Sequence, residues 1–129
     1  MSETVQIDGL AAKISATLTE YTDAIIAGVK QDVKAVAEEC KTNIERDSPR
    51  GERKTKKYAD SWKIKYEENV LKADATVYNT QGQLTHLLED GHATRNGGRT
   101  RAFPHIKPNE VKANAELEKR IEKRIADGH

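Results

Sequence analysis

One feature limits the fold of this chain more than any other. Apolar residues recur at Ile14, Leu18, Tyr21, Ile25, Val29, Val33, Val36, Cys40 and Ile44, every step three or four residues long. That spacing brings them to one side of an α-helix. The opposite side carries Lys13, Glu20, Asp23, Lys30, Lys34, Glu38 and Lys41. The pattern predicts a long helix from about residue 10 to about residue 46, with Asp8 as a candidate cap and Gly28 as a bend or a close packing point. At 1.5 Å per residue it would span about 55 Å, more than a domain of this size needs. Its surplus apolar length either breaks near Gly28 or packs on another subunit.

Composition points the same way. A third of the 129 residues is charged, 36% is hydrophobic and only 5% is aromatic, so one modest core is all the chain can build alone. A net charge of +1 makes no global demand for nucleic acid or an acidic membrane. The charge is uneven, however. Residues 1–46 hold eight acids and five bases, net −3, whereas residues 47–57 hold five bases and two acids, net +3. Residues 81–107 hold four bases and two acids, net +2. The basic stretches read as solvated loops or as a surface that faces an anion. The single Cys40 excludes an internal disulfide and, lying on the apolar stripe, reads as a small buried hydrophobe. The first residues lack a secretory-leader pattern, and no apolar run approaches the roughly 18 residues of a membrane span. The expectation is a soluble protein made in a reducing compartment.

The remaining elements follow from local signals. Pro49 and Gly51 end the helix and open a mobile basic loop, 47–57. "SWKIKYE" alternates, with Trp62, Ile64 and Tyr66 on one face, and "ADATVYN" alternates after a gap of Glu68–Lys72, so the two predict an antiparallel hairpin. "QLTHLLED" is a short helix stopped by Gly91. His92–Arg101 is a loop, and "AFPHI" predicts a short strand that Pro104 confines to an edge. Pro108 opens a last helix with an apolar stripe of Val111, Leu117, Ile121 and Ile125, closed by Gly128. The chain is read as one α+β domain over 1–129: long helix 1–46, basic loop 47–57, sheet with short helix and Gly/Arg loop 58–107, and C-terminal helix 108–129.

Three of the four histidines fall between Leu84 and Ile106, which raises the question of chemistry. His86, Glu89 and His92 step by three, so the outer two stand about 120° apart on a helix, unlike the i, i+4 pairing of zinc-binding helices. No metal and no cofactor is expected. Ser48 and Ser61 lack the surroundings of a nucleophile, and the adjacent Glu89 and Asp90 point apart, so no catalytic residue is assigned. Arg50, Arg53, Lys54, Lys56 and Lys57 form one basic run and Arg95, Arg99 and Arg101 a second, residue types that contact phosphates, though no recognition-helix, aromatic ribonucleoprotein or finger motif accompanies them.

The combination Tyr78-Asn79, Leu84 with Leu87-Leu88-Glu89-Asp90-Gly91-His92, Gly97-Gly98-Arg99 and Pro104-His105-Ile106 with Pro108 resembles the tail-component family of long-tailed bacteriophages. Upstream, "SPRGERKTKKYADSW", which includes Trp62, resembles the family's Ser/Thr-Pro segment, basic loop and strand start. The likeness covers roughly residues 40–125. One departure is Asn109, where the family often has Ala after the proline. The resemblance implies a structural virion protein of the head–tail junction rather than an enzyme. It implies a homo-oligomeric ring, commonly a hexamer, between the head adaptor on the portal side and the tail tube, with genomic DNA passing through the lumen. Location would be the neck or tail of the virion, and host cytoplasm during assembly. A small nucleic-acid-binding regulator or maturation factor is the alternative, and a small metal-dependent hydrolase a third reading.

Under the resemblance the signature residues acquire structural roles. Leu84, Leu87 and Leu88 would dock the short helix on the hairpin, and Gly91 would take the positive φ that ends it. Gly97 and Gly98 would let the loop turn. His92 and His105 would be hydrogen-bonded structural groups. Arg99 and Arg101 would pair with neighbouring carboxylates or face DNA.

Overall fold

The computed structural model describes residues 10–49, 58–91, 97–99, 102 and 104–127; the side chains of Gln83, Leu84 and His86 fall outside this description. The architecture is α+β, with three helices and one three-stranded antiparallel sheet among the described residues.

The long helix is present but starts later than its apolar stripe. Ala11–Thr17 is a strand, β1, and the helix α1 runs from Asp23 to Asp47. Ile14 and Leu18 are four residues apart, a spacing common to the helical period and to twice the strand period. They therefore also belong to the alternating set Ala12, Ile14, Ala16 and Leu18, all buried, while Lys13, Ser15 and Thr17 are exposed. A turn at Thr19 and Glu20 separates the two elements, and Asp23 sits in the first turn of α1, where a carboxylate suits the helix dipole. From Val29 onward the stripe holds: Val29, Val33, Val36, Cys40 and Ile44 are all buried. At 25 residues α1 is about 37 Å long, which a small sheet can cover.

A 3₁₀ turn at Tyr58–Asp60 leads into β2, Trp62–Glu68, and β3, Lys72–Asn79. The strand order is β1-β3-β2, with Ile14 opposite Ala75 and Ile64 opposite Val77. The hairpin is tighter than the sequence predicts. Only Asn69, Val70 and Leu71 lie between the strands, because the Asn69 side chain accepts the N–H groups of Leu71 at 2.7 Å and Lys72 at 3.1 Å. No non-glycine residue among those described needs a positive φ to make this turn.

The predicted edge strand at "AFPHI" does not form among the described residues. Ala102, Pro104 and His105 are outside any strand, and β1 takes the edge position instead. The N–H groups of His105 and Ile106 are bonded to the Glu89 carboxylate, so they are not available to a ladder.

α2, Gly82–Asp90, follows β3, and α3, Lys107–Asp127, runs antiparallel to α1 and packs against it and against β1. Asn109, Ala113 and Leu117 form its buried line, with Ile121 half-buried. Val111 and Ile125, both predicted inside, are exposed. Val111 lies two residues from Ala113 and so about 200° away on the helix. Gly28 is a close packing point. A Cβ there would come within 2.6 Å of Arg124 Cζ, whose guanidinium lies over the glycine and bonds both oxygens of buried Asp32.

Candidate functional site

At the end of the sheet away from the hairpin tip, the signature residues converge on one buried polar network. Its centre is Glu89. One carboxylate oxygen accepts the N–H of His105 at 2.8 Å and of Ile106 at 3.0 Å, and the other accepts the N–H of Lys107 at 3.0 Å. These donors open α3, where backbone N–H groups have no partner within the helix and the dipole favours an anion. The last turn of α2 thus caps α3. The next residue, Gly91, has φ 74° and ψ 174°, a region open in practice only to glycine, which lets the chain leave α2 at once.

His105 is fully buried, and Glu89 is only 7% exposed. Nδ1 of His105 lies 3.0 Å from Glu89, and Nε2 lies 2.6 Å from the Tyr58 hydroxyl. With its proton on Nδ1, His105 donates to Glu89 and accepts from Tyr58, so both ring nitrogens are satisfied. Tyr58 is fully buried, and burial, opposed by a hydrogen bond with Thr85 and reinforced by the Glu89 charge, raises its pKa well above the usual tyrosine range. Tyr58, Trp62 and His105 meet edge to face, with ring centroids 5.6–5.8 Å apart.

The network extends to every neighbouring element. Trp62 Nε1 donates to Ser48 Oγ at 3.0 Å, and that hydroxyl donates to the Ile44 carbonyl at 2.6 Å, closing the end of α1. Asn79 donates to the Tyr58 carbonyl at 2.8 Å and accepts the Gln81 N–H at 2.8 Å, so the end of β3 sets the entry to α2. Asn109 donates to the His105 carbonyl at 2.7 Å and to Asp47 at 3.0 Å, joining α3 to the end of α1. Hydrogen bonds from Arg46 and then Asn109 hold the Asp47 carboxyl below the usual aspartate range. Cys40 is buried beside the Asn109 carbonyl, and burial pushes its thiol up to about 11.

Tyr58, His105 and Glu89 form a hydroxyl–imidazole–carboxylate line, the order found in nucleophilic triads. Catalysis also needs a substrate to reach the hydroxyl, and Tyr58 has no exposed surface. This line holds elements together. Among the described residues no group of three or more His, Cys, Asp or Glu could hold a metal ion, and no helix is long and apolar enough to cross a membrane.

The residues singled out in the sequence fare unevenly. Glu89, Asn79, Trp62, His105 and Ile106 are buried, and Leu88 packs half-buried on the core. Leu87 is 42% exposed, so it does not dock the helix; the buried side of α2 presents Thr85 and Glu89 instead. Tyr78 is half-buried, and Pro104 and Pro108 are exposed. Gly97 has φ 82° with open space where a Cβ would lie, and Gly98 beside it is exposed. Arg99 is exposed and reaches the Asp90 carbonyl at 3.4 Å. Arg50, Arg53, Lys54, Lys56, Lys57, Arg95, Arg101 and His92 lie outside the described residues, as does the side chain of Leu84. Sequence reasoning did not select Tyr58, Thr85, Asp47 or Asn109 and did not assign Ser48 its structural bond. Two of these left a trace: Tyr58 stands four residues from the only tryptophan in an aromatic-poor chain, and Asn109 is the departure from the family pattern.

Residues 12–91, from β1 to the glycine that ends α2, match a family model described as "Bacteriophage HK97-gp10, putative tail-component". That is well over half of the chain. The chain belongs to the HK97-gp10-like family of phage tail components. The matched span holds α1, all of the sheet but Ala11, and Glu89, while α3 and the His105 that precedes it lie beyond it. No curated protein and no solved structure matches the chain. As a tail component it is a virion protein, with other virion proteins as its partners.

Proposed function

We propose that the chain is a non-enzymatic structural protein of the head–tail junction. It closes into a ring, of six copies by the resemblance, between the head adaptor and the tail tube, and the genome passes through the lumen. Membership of the tail-component family is the observation that carries this reading. The use of Tyr58, His105 and Glu89 as a sealed lock between elements supports a structural role. A ring is built of heterologous contacts, one surface meeting a different one on the next copy. The acidic first third of one copy and the basic run Arg50–Lys57 of the next suit such a contact.

Light scattering over a concentration range, followed by negative-stain imaging, tests the reading. Rings of about six copies support a self-sufficient ring. A free monomer transfers the test to the particle, where the neck must contain the chain and lose its tail without it; complete tailed particles lacking the chain refute the proposal. Reversing the charge of Arg53, Lys54 and Lys57 weakens assembly and its salt dependence. DNA binding by the isolated protein is weak, salt-sensitive and indifferent to sequence, since a channel must let the genome slide. Tight sequence-specific binding would favour a nucleic-acid-binding regulator or maturation factor instead.

A further inference from the structure

Among the described residues, the outer edge of β1 is protected along one half and open along the other. Lys13 points its N–H and C=O away from β3, and α3 covers both: Glu110 accepts the N–H at 2.9 Å, and Asn114 donates to the carbonyl at 3.1 Å. Strand groups alternate in direction, so Ser15 and Thr17 also point off the edge. Neither finds a partner for these groups among the described residues, and the Leu18 N–H turns back inward to Leu71. Beside this open half lies a groove between β1 and the second half of α3. Its floor is Ala16, Tyr21, Leu117 and Ile121, and half-exposed Ile125 stands at its end.

The rim of the groove has one sign. Glu20, Glu118 and Glu122 border it, no base does, and none of the three has an ion pair among the described residues. Glu118 and Glu122 are four apart on α3, where like charges repel and weaken the helix slightly. An unpaired strand edge, an apolar floor and an acidic rim together fit an incoming segment that offers backbone hydrogen bonds and positive charge.

We propose that this groove receives the basic run 50–57 of a second copy of the chain. Charge selects the occupant: that run holds five bases and one acid, and the rim holds three carboxylates with no ion pair among the described residues. The inference rests on the reading that copies meet in a ring, and it supplies one of the two surfaces of that contact.

The test uses the full chain and a labelled peptide spanning Pro49–Tyr58, with binding read by fluorescence anisotropy. The peptide binds the wild-type chain, more weakly as salt rises, and amide exchange at Ser15 and Thr17 slows on binding. Glu118→Lys with Glu122→Lys weakens binding at least about tenfold, and a peptide with its charges reversed recovers it on that variant. Glu118→Gln with Glu122→Gln gives a smaller loss without introducing new charge. Absence of binding up to about 1 mM, or binding unmoved by these variants, overturns the proposal. If the Glu variants block particle assembly while the peptide fails to bind, the groove belongs to another partner and the second-copy proposal is equally overturned. Because the peptide is read on the isolated chain, its result stands apart from whether particles need the protein.

Discussion

Glu89 is a decisive place to perturb this fold, because one carboxylate serves three backbone donors and a histidine. Glu89→Ala strips partners from the N–H groups of His105, Ile106 and Lys107 in a buried corner. A buried donor left unpaired costs about 1–3 kcal/mol, so three would cost up to about 9 if nothing relaxed. Water entering the vacated space satisfies part of the demand, and the loss of an anion at the start of α3 adds about 0.3–1 kcal/mol. The expected net loss is about 3–5 kcal/mol, as for other broken buried pairs. That is a large share of the roughly 5–15 kcal/mol of a typical domain. Glu89→Gln keeps the shape and leaves an NH₂ facing one backbone N–H, so it costs about 1–3 kcal/mol. Urea unfolding followed by circular dichroism reads both. With a slope near 2 kcal/mol/M, the Ala variant moves the midpoint by about 2 M and the Gln variant by about half that. A loss below about 1 kcal/mol for Glu89→Ala, at unchanged slope, would refute the claim that α2 caps α3.

Four further outcomes follow from the same geometry. Tyr58→Phe removes the donor to His105 Nε2 and destabilises by about 1–3 kcal/mol in the same unfolding assay, although the ring and its packing remain. Gly91→Ala forces a side chain onto a glycine-only backbone conformation and costs about 1–3 kcal/mol; a neutral result would mean that the α2 exit relaxes freely. The Cys40 thiol, raised to about 11 by burial, reacts slowly with a thiol reagent at pH 8 in the folded chain and rapidly in urea. Its raised pKa also sets a sign: Cys40 contributes stability below the ordinary thiol range near 8.5 and loses it as the pH climbs through about 11, so unfolding followed over that window checks it.

Much of the fold was legible because it depends on short-range periodicity. The hairpin, both long helices, the buried run from Val29 to Ile44, the burial of Cys40 and the positive φ of Gly91 all follow from residues within one or two turns of each other. The start of α1 was not, because Ile14 and Leu18 satisfy both periods at once. Pairing with β3 decided between them, and β3 begins more than fifty residues downstream. Leu87 failed for a related reason. A leucine on a short helix marks an apolar side, but α2 turns Thr85 and Glu89 inward, because the N–H groups at the start of α3 lie on that side and bond the Glu89 carboxylate.

The network at the head of α3 marks the division most clearly. By itself the sequence determined which residues could serve: a histidine, a glutamate and a glycine grouped where no metal or nucleophile pattern accounted for them. Only the tertiary structure decided what they do. Tyr58 and His105 are 47 positions apart, and Asn109 and Asp47 are 62 apart. Hydrogen bonding acts over about 3 Å and leaves no periodic trace along the chain. Partners drawn from α1, the sheet, α2 and α3 are selected only when packing of the apolar faces brings their ends together.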